Sequence, residues 1–357
     1  MKNYDVCIIG GGASGLAAAA SLKDGIKACI VEKNPVPGKK IMASGGGRCN
    51  ITNKEASGSE EIVEFFRSMG LELYCDAEGR YYPYSNQASD VTETLMTSIN
   101  KKNTKIYTGF SADSIRTEGG KFFVYGERGI ISADNIVIAT GGKSYPQLGT
   151  SGDGYSMARS LGHDVRRVYP VLTPVECENM PDFKGIRCRG RVTLYKDGSI
   201  VSSEKGEIQF TADGISGICV FNITMGIRAE DGEDPRKAMK RYEISIDFAP
   251  DYSMEQIEDR ETSFGIVTGR IAEKVGIKEL KDYRLKVKGT KGWKQAQCTA
   301  GGVDLSQIDA DTMESKLLTG LYFTGEVLDV QYPCGGFNLQ HAWETGRKAA
   351  VSINGKY

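Results

Sequence analysis

The sequence predicts an α/β protein in which a nucleotide-binding domain is interrupted by a β-rich insert with a short helical segment. Three observations predict it. The first 35 residues alternate a buried strand, a small-residue helix and a second strand. From about Val168 the texture changes to proline, hairpin signals and strand-like runs. Near Gln295 the first texture returns. The expected bounds are 1–167 for the first part of the nucleotide domain, 168–285 for the insert and 286–357 for the return.

In order, "YDVCIIG" reads as a strand, "ASGLAAAASLK" as a helix and "KACIVEK" as a strand. Residues 59–69 and 88–102 read as helices, followed by short strands up to "ADNIVIATGG". "GDGYSMARSLGH" reads as a helix after a glycine turn. In the insert, "GRVTLYKDGSIVSS" is a hairpin around Asp197-Gly198, and "GEIQFTADGISGICVFNIT" and "RYEISIDFAP" are strand-like. Residues 253–283 read as helical and polar. The chain closes on a helix, "GFNLQHAWETGRKAAVSI".

Bulk properties exclude several classes. With 357 residues, 40 % hydrophobic and 25 % charged, the chain matches a soluble folded protein. A formal net charge of -1 gives no sign of a nucleic-acid or membrane-surface binder. No secretory signal and no membrane-length apolar run are read. Nine cysteines without a CxxC pair suggest free thiols in a reducing, cytoplasmic setting. Two histidines and unclustered cysteines give no metal site.

Gly10, Gly12 and Gly15 form GxGxxG between the first strand and helix, and Glu32 ends the second strand. The first glycine permits a tight turn, the second a close approach of backbone to a pyrophosphate, and the third close helix–strand packing. The helix N-terminus, at Ala13 and Ser14, offers free N–H groups to phosphate. Glu32 accepts hydrogen bonds from a ribose and repels a 2′-phosphate. This is a Rossmann-like dinucleotide fingerprint.

Further segments favour FAD over NAD. "IVIATGG" runs a strand into Thr140 and Gly141, "FSADSI" places Ala112 for backbone contact with an adenine, and "TGEVLD" places Gly325 and Glu326 after a late strand. In "CGGFNLQHAW", Gly335 and Gly336 open a second helix whose N-terminus suits the electron-rich edge of a reduced isoalloxazine.

The segments "IIGGGASGLAAA", "EKNPVPGKKIMASGGGRCNITN", "YPQLGTSGDGYSMARSLGH", "GEIQFTADGISG", "CTAGGVDL" and "CGGFNLQHAWETG" resemble the BaiN-like flavoproteins. These are FAD-dependent oxidoreductases that include a bile-acid ring reductase and an aminoacetone oxidase. The resemblance implies non-covalent FAD held by both ends of the chain, with NAD(P)H as a transient electron donor and a small-molecule substrate. It implies cofactor contacts at Gly10, Gly12, Ala13, Ser14, Gly15, Glu32, Lys33, Lys40, Gly45, Gly46, Arg48, Cys49, Asn50 and Ala112. It implies the same for Thr140, Gly141, Gly325, Glu326, Asp329, Gly336, Phe337 and Asn338. "SGGGRCN" becomes a second grip on the cofactor, with Arg48 on a phosphate. The chain departs from the pattern at Tyr332 and Pro333, where small residues are usual, and at His341.

His341, Tyr332 and Tyr145 are the candidates for proton handling. For His341 the alternative is a packed or surface histidine. Two reactions compete: hydride delivery to an activated C=C bond, and oxidation of a small amine to give hydrogen peroxide. An RNA-modifying flavoprotein and a non-catalytic flavoprotein are the readings from other classes.

Overall fold

The computed structural model describes residues 1–229 and 233–357. The chain divides into two compact units, Met1–Val168 with Thr299–Tyr357, and Tyr169–Cys298.

The first unit is built on a seven-stranded sheet. Strand β1 (Lys2–Ile9) leads through helix α1 (Ala13–Ser21) to strand β2 (Ala28–Glu32), and the two strands pair in parallel with Cys7 opposite Cys29. All five residues of β2 are buried, as expected of a parallel strand covered on both faces. Strand Thr104–Thr108 flanks β2 in parallel, and Gly129–Ile138 flanks β1 in parallel. That last strand has two neighbours on its other edge. Residues 129–133 pair with the antiparallel hairpin strand Lys121–Gly126, whereas Ile136–Ile138 pair in parallel with Leu321–Phe323. The late strand thereby brings "TGEVLD" beside "ATGG". The C-terminal helix Phe337–Asn354 packs on α1 at close range: a Cβ on Gly346 would lie 2.2 Å from the Ser14 carbonyl oxygen.

The second unit holds a closed antiparallel barrel of six strands. They run Val175–Cys177, Gly214–Ser216, Ser199–Phe210, Arg187–Lys196, Tyr242–Asp247 and Tyr283–Thr290 around the barrel. Val192, Leu194, Ile208, Phe210, Ile244 and Ile246 fill its interior. The expected return point at 286 lies inside Tyr283–Thr290, a barrel strand. The expected helix over 253–283 is not continuous. It is two short helices, Met254–Glu258 and Gly269–Ala272, and a 3₁₀ turn, Ile277–Lys281. Gly265, at φ +88°, and Gly276 interrupt it. "ICVFNI", strand-like by composition, is the helix Ile218–Ile223, turned by Gly217 at φ +119°. Its Cys219 seats against Gly206, where a Cβ would come within 3.1 Å of the cysteine's Cβ. Among the described residues no helix is long and apolar enough to cross a membrane.

Candidate functional site

The glycines of the β1–α1 turn are there for two different reasons. A Cβ on Gly10 would lie 2.4 Å from the Ala139 carbonyl oxygen, and one on Gly15 would lie 2.0 Å from the Gly10 carbonyl oxygen. Those two positions are glycine because the protein's own backbone occupies the space. A Cβ on Gly12 meets nothing within 4 Å, although its backbone is ordinary extended chain at φ -85°. Nothing in the fold requires glycine there, so the open space in front of α1 is where a ligand would approach. Gly12 caps α1 without a side chain, which leaves the first N–H groups of the helix, at Ala13 and Ser14, to a ligand.

Glu32 is 7 % exposed and already engaged. Its Oε2 accepts from the Gly11 N–H at 2.8 Å, and its Oε1 from the Asn34 N–H at 2.7 Å and amide at 2.8 Å. With about four acceptor positions on a carboxylate, about one remains for a ribose hydroxyl. Lys33 pairs with Asp153 and Ser151, so its ammonium is held on the protein. Ala112 starts a strand and pairs with Gly126.

The "SGGGRCN" stretch is a tight irregular turn. Gly45, Gly46 and Gly47 have φ of 57°, 67° and 85°, a run that side-chain-bearing residues would resist. The three glycines and Arg48 are exposed, whereas Cys49 is fully buried. Burial pushes the Cys49 thiol up to about 12 against a stabilising hydrogen bond from Ser44. The thiol is therefore protonated at neutral pH, which gives it packing and no thiolate chemistry. Arg48, expected on a phosphate, lies over the Tyr82 ring at 4.6 Å. Asn50 Oδ1 is buried with no donor among the described residues. It faces Gly336, where a Cβ would come within 2.7 Å of it. A planar ligand with an N–H edge, such as the uracil-like end of a flavin, would supply the missing donor.

Gly336, at φ +104°, opens the C-terminal helix without a side-chain cap. Four contacts tie that helix start to the glycine turn. Asn53 Nδ2 donates to the Gly335 carbonyl at 3.1 Å, and Thr52 Oγ1 to Gln340 Oε1 at 2.6 Å. Trp343 Nε1 donates to the Ile51 carbonyl at 3.0 Å, and Gln340 Nε2 to the Ser57 carbonyl at 3.0 Å. Phe337 follows the cap half-buried, and the Asn338 amide is spent on the backbone of Tyr332 and Pro333.

A polar cluster that the sequence did not reveal joins four glycine-rich segments. Lys40 Nζ donates to Glu326 Oε2 at 2.6 Å and to Ser144 Oγ at 2.7 Å. Ser144 Oγ donates to Glu326 Oε1 at 2.8 Å, as does the Thr299 N–H at 2.8 Å. Gly142 passes so close that a Cβ would meet Thr299 Oγ1 at 2.3 Å. Thr140 and Gly141 lead into this cluster, and Gly325, at φ +72°, lies against Ser14 Oγ. Asp329 faces Arg166 at 3.7 Å. The only available signal for Ser144 was its place directly after "ATGGK", and for Thr299 its place before "AGG". Because Lys40 and Glu326 are 30 % and 20 % exposed, the pair is partly screened. Glu326→Ala strands an ammonium and two donors. We expect it to cost about 1–3 kcal/mol in a denaturant melt, below the cost of breaking a fully buried pair, and Glu326→Gln to recover part of that.

Among the proton-handling candidates, Tyr145 sits at φ +56° ahead of the 3₁₀ turn Pro146–Leu148. His341 is packed. Its Nε2 is buried with no partner among the described residues, its ring lies 5.7 Å from that of Tyr332, and burial pushes its pKa down to about 4. An imidazole whose pKa burial lowers this far is neutral at neutral pH and is not the proton donor there. This histidine costs stability in acid. The unfolded chain takes up a proton below about 6.5 and the native ring only near 4. Stability is thus lost as pH falls from 6.5 towards 4, and His341→Phe is expected to flatten that part of a stability–pH curve. His163 contributes in the same direction, since its pKa is also lowered by burial.

Comparison with known proteins places the chain in a family. The sequence profile of the HI0933-like protein Rossmann domain matches residues 4–59 and 55–352. The chain is 34% identical to the 3-dehydro-bile acid delta(4,6)-reductase of Clostridium scindens, over 95% of this chain and 96% of that protein. It is 25% identical to the ribosomal RNA dihydrouridine synthase of Escherichia coli, over 99% and 98% of the two chains. Among solved structures, the Rhodococcus jostii 3-ketosteroid-delta4-(5alpha)-dehydrogenase shares the fold at a TM-score of 0.56 and 13% identity, covering 99% of this chain and 97% of that one. The E. coli quinol fumarate reductase subunit FrdA does so at a TM-score of 0.55 and 14% identity, covering 100% and 71%. The chain belongs to the HI0933-like Rossmann family and, within it, to the BaiN-like flavoprotein oxidoreductases.

Proposed function

We propose that the protein is a cytoplasmic FAD-dependent oxidoreductase that uses NAD(P)H to reduce an activated C=C bond in a small organic substrate. The observation that carries the cofactor is the space in front of Gly12, paired with the orphaned Asn50 Oδ1 at the start of the second helix. The names of the relatives support the reaction. A delta(4,6)-reductase and a dihydrouridine synthase both place two hydrogens across a C=C bond in conjugation with a carbonyl.

In this reading the α1 N-terminus and Gly12 hold the pyrophosphate, Glu32 the adenosine ribose and Ala112 the adenine. Gly45, Gly46, Arg48 and Asn50 form the second grip. The start of the C-terminal helix, at Gly336 and Phe337, faces the flavin ring. The Lys40–Ser144–Glu326 cluster, with Thr140, Gly141 and Gly325, braces the turns between the two ends. Bound FAD supplies hydride at N5. The protein's own work is to hold the ring, exclude water and provide a proton.

Anaerobic stopped-flow tests the reading. Bleaching of the holoenzyme by NADH or NADPH, followed by reoxidation on mixing with an enone, is the expected result. Bleaching by small amines alone would establish the oxidase instead. The relatives named ribosomal RNA dihydrouridine synthase at 25% and 28% identity favour RNA as a second reading. The net charge of -1 favours a small substrate, because RNA binding draws on excess cationic charge. Dihydrouridine formed in a ribosomal RNA transcript would decide for RNA.

A further inference from the structure

Tyr332 is held at both its backbone and its ring. It lies in the turn just before the C-terminal helix, and one side chain fixes both of its backbone groups. Asn338 Oδ1 accepts from the Tyr332 N–H at 3.0 Å, and Asn338 Nδ2 donates to the Tyr332 carbonyl at 2.7 Å and the Pro333 carbonyl at 3.3 Å. Pro333 stiffens the next step of the chain. The Tyr332 ring leans on the buried His341 ring, with centroids 5.7 Å apart and planes at 49°. Its hydroxyl has no hydrogen-bond partner among the described residues, and the residue is 38% exposed. A phenol with clamped backbone, seated ring and free hydroxyl is organised for something outside the chain. The same turn carries the uncapped helix start at Gly336 and lies beside the orphaned Asn50 Oδ1.

We infer that Tyr332 is the proton donor of the reaction, with Asn338 and His341 as its positioning residues. This rests on the C=C reduction proposed above. FAD held and reduced as proposed above would supply a hydride to the β-carbon of the enone and be oxidised by two electrons. The displaced π pair takes the proton of Tyr332 Oη at the α-carbon. The O–H bond breaks, and the phenolate recovers a proton from water. Burial raises the phenol's pKa, Glu344 raises it further and Lys348 lowers it, so the phenol keeps its proton through neutral pH, while His341 stays neutral.

The test uses holoenzyme reduced with dithionite and mixed with cyclohexenone. In Tyr332→Phe, reoxidation by the enone should slow by about 100-fold or more, while reoxidation by oxygen and flavin content stay at the wild-type level. Tyr332→Leu should behave alike, which guards against a fault peculiar to one variant. Asn338→Ala should slow the same step by about tenfold per bound flavin and shift its alkaline pH limb. Without turnover, near-ultraviolet titration of oxidised holoenzyme should lose a phenol step above pH 10 in Tyr332→Phe. That step should shift when the saturated ketone binds. Enone reoxidation in Tyr332→Phe within about twofold of wild type overturns the assignment and leaves the reductase reading intact. A wild-type enzyme that binds flavin and is reoxidised by no enone overturns both.

Discussion

Gly15→Val should lose a large share of its folding stability, whereas Gly12→Val should fold normally and lose its cofactor. Both lie in one fingerprint, yet the structure separates them. At Gly15 a Cβ would stand 2.0 Å from the Gly10 carbonyl oxygen and 3.3 Å from the Ala139 side chain. The obstacle is backbone, which cannot rotate away, so the cost falls at the upper end of overpacking, about 3 kcal/mol or more. A domain of ordinary stability has only about 5–15 kcal/mol to lose. At Gly12 the added atoms meet open space, and φ of -85° suits any residue. The apoprotein of Gly12→Val should melt at or above the wild-type temperature, since the unfolded chain loses freedom. Its FAD affinity should fall by about 100-fold, or roughly 2.8 kcal/mol. Calorimetry and a flavin-binding titration read the two effects separately. Full flavin occupancy in Gly12→Val would show that the space has another purpose.

Trp343→Ala should be the most damaging substitution in the C-terminal helix. The indole is fully buried, donates to the Ile51 carbonyl at 3.0 Å, and meets the Phe66 ring edge-on with centroids 5.2 Å apart. Deleting a buried aromatic of this size costs about 3–5 kcal/mol. The Ile51 carbonyl would also lose its partner. Ile51 directly follows the glycine turn, so the variant should release flavin more readily even where it remains folded. Trp343→Phe keeps most of the packing and loses the hydrogen bond, which is expected to cost about 1–2 kcal/mol. A denaturant midpoint for Trp343→Ala within 1 kcal/mol of wild type would contradict this picture of the seam.

What the sequence made legible was local. GxGxxG and Glu32 are separated by little more than one helix, so their spacing carries the geometry directly. Several barrel strands announced themselves as strand-like runs and by turns such as Asp197-Gly198. The Lys40–Ser144–Glu326 cluster was not legible, because its members lie 104 and 286 positions apart and meet only when the late strand joins the sheet. Composition misled at "ICVFNI", where β-branched residues form a helix because they cover a strand. Between 253 and 283, polar periodicity hid the glycines that divide it. Arg48 shows a different limit: the sequence marked it for the second grip but could not show that its guanidinium rests on the Tyr82 ring. His341 was attractive as an acid–base group for its type and its place about one and a half turns past Gly336, and what the sequence could not show is that burial keeps it neutral.

The most direct test is to titrate purified, flavin-stripped protein with FAD and follow the visible spectrum. The account predicts saturable uptake at equal stoichiometry, bleaching by a chemical reductant, and loss of uptake in Gly12→Val with no loss of thermal stability. Protein that stays colourless and takes up no FAD, while folded by calorimetry, would contradict it.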